Sequence, residues 1–308
     1  MRSNAISWRQ NSTNVRNGSL QKHLYRLGLA AAWRLVPQRT AAAVKGRFFA
    51  PACHPLTPEG KDWLKKGRPF RIQVDGKAVQ GWEWGRGPSV LFVHGWNGRG
   101  ANFAPFFGPL LEAGFSVAAF DAPAHGLSDG RTSSYFQFTD ALRAVMRTGV
   151  GRRMHGLIGH SVGGAAVIGA LSREKTAVQT VLISPALDLQ NILASAFEGF
   201  GVPLGIFRGV IAALERKYGY SLEKDNPIRL LPTLKTPVFI VHDRADETTP
   251  YLESRRAAEQ CPNVSLHTTE GLGHKRILAD PAVVARVMAH LTGSPSGAEK
   301  DTRVVAAG

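Results

Sequence analysis

Cysteine is almost missing from this chain: among 308 residues only Cys53 and Cys261 occur. Two distant thiols, each in a proline-containing, loop-like setting, build no disulfide framework and offer no metal-ligand spacing. No metal site is therefore expected on them, and a reducing, cytoplasmic compartment is the default. Long apolar runs are missing too. The best, residues 27–36, is about half the roughly 20 residues that a membrane-crossing helix needs, and it contains Arg34. It also makes a poor secretory signal, because a long polar stretch precedes it and no small-residue cleavage site follows. Acidic residues are absent from residues 1–47, where Arg2, Arg9, Arg16, Lys22, Arg26, Arg34, Arg39, Lys45 and Arg47 supply nine of the net +15 charges. Such a segment suits an anionic surface, lipid or nucleic acid; the same composition also fits a solvated extension or a transit peptide. Nucleic acid has only the charge in its favour, since no aromatic residues interleave with basic ones as a stacking platform.

Hydrophobic residues (44%) and 33 glycines are plentiful. That suffices for one large α/β domain with a small insertion. The chain is organised around His155-Gly156-Leu157-Ile158-Gly159-His160-Ser161-Val162-Gly163-Gly164. Leucine and isoleucine precede Ser161 as a short strand would, and small and apolar residues follow it as a helix would. Gly159-x-Ser161-x-Gly163 carries meaning where a strand turns sharply into a helix. The serine backbone is strained there, and glycine two residues to either side relieves the crowding. Such a turn lifts the Ser161 hydroxyl off the sheet and aims helix amides and the positive dipole end at the same point. A glycine-rich turn with a bystander serine has the same local pattern, so the partners of Ser161 decide between the two.

Taken in order, residues 1–20 carry no structural signal. Residues 20–36 fit an amphipathic helix stopped by Pro37, and 37–69 read as a proline-rich connector with a helical turn or two after Thr57-Pro58. Residues 70–84 form a hairpin about Asp75-Gly76, and Ser89–Val93 reads as a strand buried on both faces. Strands at 115–120, 157–159, 180–183, 237–241 and 264–268 then alternate with helices at 101–113, 134–146, 162–173, 251–260 and 281–291. The alternation predicts a mainly parallel sheet covered on both faces. Only residues 186–232 break the rhythm; rich in helix formers, they are expected to form a helical cap over the carboxyl edge of the sheet. Residues 70–292 thus make the main domain, 1–69 a basic extension and connector, and 293–308 an unstructured tail.

Ser161 needs a base, and the base needs a group to orient it. His274 lies in a glycine-flanked loop after the last strand, where open α/β sheets gather chemistry. Asp246 stands in the loop after the preceding strand, with Asp243, nearly on the strand end, as the alternative acid. For an oxyanion, the Val162 amide follows from the turn itself, and the loop after Val93 offers the Trp96 amide. His94 and His160 read as structural residues oriented by nearby loops, with Trp96 and His160 also placed beside the substrate.

Together, His94-Gly95-Trp96, Asp121-Ala122-Pro123-Ala124-His125-Gly126, Gly159-His160-Ser161-Val162-Gly163-Gly164, Asp246 with Pro250, and Gly273-His274 resemble the α/β-hydrolase superfamily over residues 70–292. The resemblance implies the α/β-hydrolase fold and a serine hydrolase with the catalytic set Ser161, Asp246 and His274, acting on a small-molecule ester or thioester with no metal or organic cofactor. It also implies that the His94-Gly95 pair precedes the oxyanion residue and that the Asp121 loop shapes the sheet's carboxyl edge. The acid loop departs from the family pattern, with Asp243 where glycine is usual and Thr249 where valine is. A second reading keeps the fold and makes the chain a non-catalytic or membrane-peripheral binding protein docking through residues 1–47.

Overall fold

The structure, a computed structural model, describes residues 19–52 and 54–293. The unstructured ends expected at 1–20 and 293–308 lie almost wholly outside these residues, as does Cys53. In chain order the helices are α1 (Ser19–Leu35), α2 (Pro37–Phe48), α3 (Pro58–Lys66), α4 (Ala104–Glu112), α5 (Tyr135–Met146), α6 (Gly149–Arg152), α7 (Val162–Glu174), α8 (Leu189–Gly199), α9 (Leu204–Tyr218), α10 (Pro227–Leu230), α11 (Tyr251–Gln260), α12 (Gly273–Arg276) and α13 (Pro281–Thr292). The strands are β1 (Arg68–Val74), β2 (Lys77–Trp84), β3 (Ser89–Val93), β4 (Ser116–Phe120), β5 (Met154–His160), β6 (Gln179–Ile183), β7 (Val238–Asp243) and β8 (Val264–Thr269).

All eight strands join one sheet in the order β1-β2-β4-β3-β5-β6-β7-β8. The hairpin forms as expected: Asp75 and Gly76 both take positive φ, 49° and 69°, and Val74 pairs with Lys77. Such a turn matches the twist of the strands it joins. From β4 to β8 every neighbouring pair is parallel. A parallel strand must be covered on both faces, and alternation along the strands shows how. Val90 and Phe92 of β3, Val117 and Ala119 of β4 and Ile158 of β5 face α4 and α13, around Phe106, Phe107, Val283 and Val287. Leu91, Val93, Ala118, Phe120 and Leu157 face the other way, against α5 and α7. The mostly parallel, doubly covered sheet predicted from the alternation is therefore present.

One expectation needs correction. Pro37 ends α1, but residues 37–69 are not simply a connector. Pro37 takes the first position of α2, where its fixed φ suits the helix and its missing N–H has no intrahelical partner to lose. Thr40, Val44 and Phe48 recur every fourth residue and are buried. The stripe is one residue wide, so alanines and cations between its members hide it in the sequence. Phe48 lies against Phe197 of α8, ring centroids 3.7 Å apart, and Phe49 is 6.0 Å from the same ring.

The helical insertion expected at 186–232 leaves from the carboxyl end of β6 and consists of α8, α9, α10 and a 3₁₀ turn at Leu231–Thr233. Its two ends are tied together. Leu189 N–H donates to Asn226 Oδ1 (3.1 Å), Asn226 Nδ2 donates to Asp188 Oδ1 (3.0 Å), and Ile228 N–H donates to Leu187 O (3.0 Å). Within it Phe197 packs edge-on against Phe207 at 4.9 Å.

If α2 is part of the core, Phe48→Ala removes the ring that joins it to α8. The expected cost is about 3–5 kcal/mol, read as a lower denaturant midpoint at unchanged slope. A loss under about 1 kcal/mol, the size of a surface substitution, would contradict that packing.

Candidate active site

Ser161 is the pivot between β5 and α7. Its backbone has φ 56° and ψ −123°, a conformation costing of order 1–3 kcal/mol that persists only where its surroundings over-determine it. They do so here. Ser161 N–H donates to Ile183 O (3.1 Å), and Ser161 O accepts from Ala165 and Ala186 N–H (both 3.1 Å). The glycines permit the approach: a Cβ at Gly163 would lie 2.2 Å from Val93 O and 2.4 Å from His94 O, and one at Gly159 would lie 2.7 Å from the Gly164 Cα. The sharp strand-to-helix turn is therefore formed, with Val162 as the first residue of α7. The N–H groups of a helix's first turn have no intrahelical partner.

The two candidate acids separate cleanly. Asp243, at the end of β7, accepts from Ala245 N–H (2.9 Å), the Thr269 hydroxyl (2.8 Å) and Leu272 N–H (2.9 Å). Burial acts against its charge, but these donors and the Gly273 amide hold it below its ordinary range. It shapes the loop that carries His274. Asp246, fully buried, points at His274 itself, with Oδ2 2.7 Å from His274 Nδ1. Its Oδ1 accepts from Thr248 and Thr249 N–H (2.7 and 3.0 Å), and the Thr249 hydroxyl lies 3.0 Å from Oδ2. Burial again opposes the charge, yet hydrogen bonds from His242 and His274 hold Asp246 well below the usual carboxylate range. An ionised Asp246 can only accept, so the proton between them belongs to His274 Nδ1, and Nε2 of the neutral ring is left as the basic nitrogen.

His242 is the residue that sequence reasoning passes over. Its ring is wholly buried, with Nε2 3.3 Å from both Asp246 Oδ2 and Thr249 O and Nδ1 2.7 Å from the Ser254 hydroxyl. Carboxylate and carbonyl both accept, so Nε2 carries the proton and Nδ1 accepts from Ser254. Asp246 thus lies between two imidazoles. The available signal was the i, i+4 spacing from His242 to Asp246 across the end of a buried strand.

His160 stands just before Ser161. Expected beside the substrate as well as structural, it is buried, and its Nε2–H donates to the His274 carbonyl (2.9 Å), the two rings 4.6 Å apart. Its hydrogen bond therefore serves the protein, tying the residue before Ser161 to the backbone of His274. Burial, and then the nearby His274 ring, push its pKa down to about 3.

Trp96 lies half-buried on the loop after β3, with His125 against its ring at 5.2 Å and Phe138 stacked at 6.3 Å. Two neutral histidines hold this loop to the one after β4. His94 Nε2 accepts from Ala122 N–H (2.9 Å) while Nδ1–H donates to Gly95 O (2.7 Å). His125 Nε2 accepts from Asn97 N–H (3.2 Å) while Nδ1–H donates to Pro123 O (3.0 Å). Burial lowers both pKa values, that of His125 to about 4. Asp121 clasps the same region, accepting from Gly100 and Leu127 N–H (both 2.9 Å). From the other side Ala52 N–H donates to Asn97 Oδ1 (2.6 Å), and Arg99 donates to His54 O (2.7 Å).

These titrations set a pH dependence. His94, His125 and His160 are depressed in the folded state and return to about 6.5 when unfolded, so the unfolded chain binds more protons between those values. Stability is then complete above about pH 6.5 and falls as the pH drops toward 4, by up to about 1.4 kcal/mol per pH unit for each histidine. Asp246 adds a loss only below about pH 4, the unfolded carboxylate range. Thermal melts at pH 7.0, 5.5 and 4.5 should show a progressive fall, shallower in His125→Gln although that variant is less stable at pH 7. A melting temperature constant over this range would contradict the neutral assignment.

The sequence model of the alpha/beta hydrolase family matches residues 90–287. The chain is 23% identical over 259 residues to a non-heme chloroperoxidase of Streptomyces lividans, covering 68% of this chain and 94% of that protein. A non-heme haloperoxidase of Rhodococcus erythropolis is 29% identical over 147 residues, 46% of this chain and 52% of that one. Among solved structures, an esterase of Pyrococcus furiosus superposes with a TM-score of 0.61 at 22% identity, covering 80% of this chain and 97% of the esterase; at that identity the likeness is one of fold. Match, sheet order and the turn at Ser161 agree, and the chain belongs to the alpha/beta hydrolase family.

Proposed function

We propose that this hydrolase cleaves a carboxylic ester or thioester through an acyl-enzyme on Ser161. The observation that carries the reading is the 2.7 Å contact of Asp246 Oδ2 with His274 Nδ1, on a histidine whose backbone is bonded to the residue preceding Ser161. Ser161 Oγ attacks the carbonyl carbon and its proton passes to His274 Nε2; the imidazolium so formed faces the ionised Asp246. The carbonyl oxygen, now negative, is received by the amides of Val162 and Trp96, donors that strengthen as charge develops. Collapse breaks the bond to the alcohol or thiol, which leaves with the proton from His274. Water then repeats the sequence on the acyl group, giving up a proton to His274 and releasing the acid and a free Ser161. The apolar helices α8 and α9 inserted after β6 favour an acyl or aryl group over a sugar.

The haloperoxidase names of its relatives favour a second reading of the same site. Hydrogen peroxide in place of water would take up the acyl group and leave as a peracid, itself the oxidant of a halide. Both readings need Ser161, and halide-dependent bromination by wild type but not Ser161→Ala would support the second.

A fluorophosphonate probe should label wild type and fail on Ser161→Ala and His274→Ala. Ester turnover in Asp246→Asn should fall by about 10⁴, because the amide favours the wrong tautomer of His274. Full esterase activity in Ser161→Ala would end the proposal. Absence of labelling in folded wild type, both with α8 and α9 intact and with them trimmed, would favour the non-catalytic binding protein.

A further inference from the structure

Helix α1 has two apolar faces. One is used: Leu29 and Trp33, four residues apart, pack against the core. Trp33 sits over Gly209 of α9, where an added Cβ would lie 2.4 Å from the indole. The other points outward. Leu24, Leu27 and Leu35 are 58%, 55% and 81% exposed. At helical spacing they fall within about 80° of arc, roughly opposite Leu29 and Trp33, and form a ridge about 16 Å long. Arg26 and Arg34 stand exposed on the same helix, with Arg39 and Arg47 exposed on α2. No acidic residue lies in residues 1–47 to neutralise them.

What could cover this ridge must be apolar and anionic at once. A second copy of the chain fits badly: an isologous contact sets the same patch against itself, and here that opposes two segments of nine cations each. Nucleic acid meets the charge and leaves three leucines in water. No helix among the described residues is long and apolar enough to cross a membrane, so α1 would lie on a bilayer. We propose that α1 docks in the headgroup layer of an anionic phospholipid membrane, with Leu24, Leu27 and Leu35 at the acyl boundary and the arginines on lipid phosphates. Trp33 fixes α1 to α9 and Phe48 fixes α2 to α8, so the membrane contact bears on the helices inserted after β6. The proposal is independent of the reaction assigned to Ser161.

The test is co-sedimentation of the full chain with vesicles of phosphatidylcholine containing phosphatidylglycerol, against phosphatidylcholine alone. Binding should need the anionic lipid and be lost in high salt. Leu24→Gln/Leu27→Gln/Leu35→Gln, which keeps every charge and touches only exposed positions, should bind at least about tenfold more weakly, as the loss of three inserted side chains requires. Arg26→Gln/Arg34→Gln/Arg39→Gln should bind roughly a hundredfold more weakly, about fivefold for each cation. Both should keep the wild-type circular dichroism spectrum and thermal melt, which report an intact fold whatever the reaction at Ser161. No binding to anionic vesicles, or binding indifferent to the leucines, would overturn the proposal. So would a dimer in light scattering that the leucine variant abolishes, since the ridge would then be an interface between copies.

Discussion

The close approach of one turn to one strand end is what the rest of this site depends on. Gly163 lies so near the carbonyl oxygens of Val93 and His94 that no side chain fits between them. The contact packs the start of α7 against the end of β3 and sets the loop that begins at His94-Gly95 beside Ser161. It also explains why the strained Ser161 backbone holds. Relaxing it would pull α7 off the sheet and expose Ala165, Ala166 and Val167, all fully buried. The cost of one residue's conformation is thus set against the burial of a whole helix.

Around that turn the protein uses neutral imidazole as a building material. A neutral ring has one donor and one acceptor on opposite edges, suited to bridging two loops in a dry interior. His94 and His125 each do this, and the rings of His160 and His242 are likewise bonded to fixed groups of the protein. His274 differs in having one nitrogen on a carboxylate and the other uncommitted to a neighbour. The division of labour is therefore readable from partners alone: four rings are bonded on the side chain to fixed groups of the fold, and the fifth is left with a basic nitrogen.

Much of this was legible beforehand, for physical reasons. Strands buried on both faces announce themselves as unbroken apolar runs, and Ser89–Val93 and Val238–Val241 were unmistakable. The turn at Ser161 was legible because its glycines answer a steric need that few other structures share. The choice of Asp246 over Asp243 rested on position, since Asp243 ends a strand and Asp246 stands in the loop beyond it; the direction of each side chain was hidden. α2 escaped because a stripe of Thr40, Val44 and Phe48 gains its meaning from Phe197, far along the chain. His242 escaped for the same reason in miniature: a histidine ending an apolar strand looks like the strand's polar edge until its partner Asp246 folds back over it.

The union of Phe48 with Phe197 also has a temporal side. A chain is made from its amino terminus, and these two rings are separated by 149 positions in the sequence. At roughly 5–20 residues per second, the apolar side of α2 emerges on the order of ten seconds before its cover exists. Over that interval Val44, Phe48 and Phe49 lack their native cover, and the charge of Arg39, Lys45 and Arg47 beside them disfavours self-association. Helices α1 and α2 are thus made well before the helices that cover them, with their cations already in place.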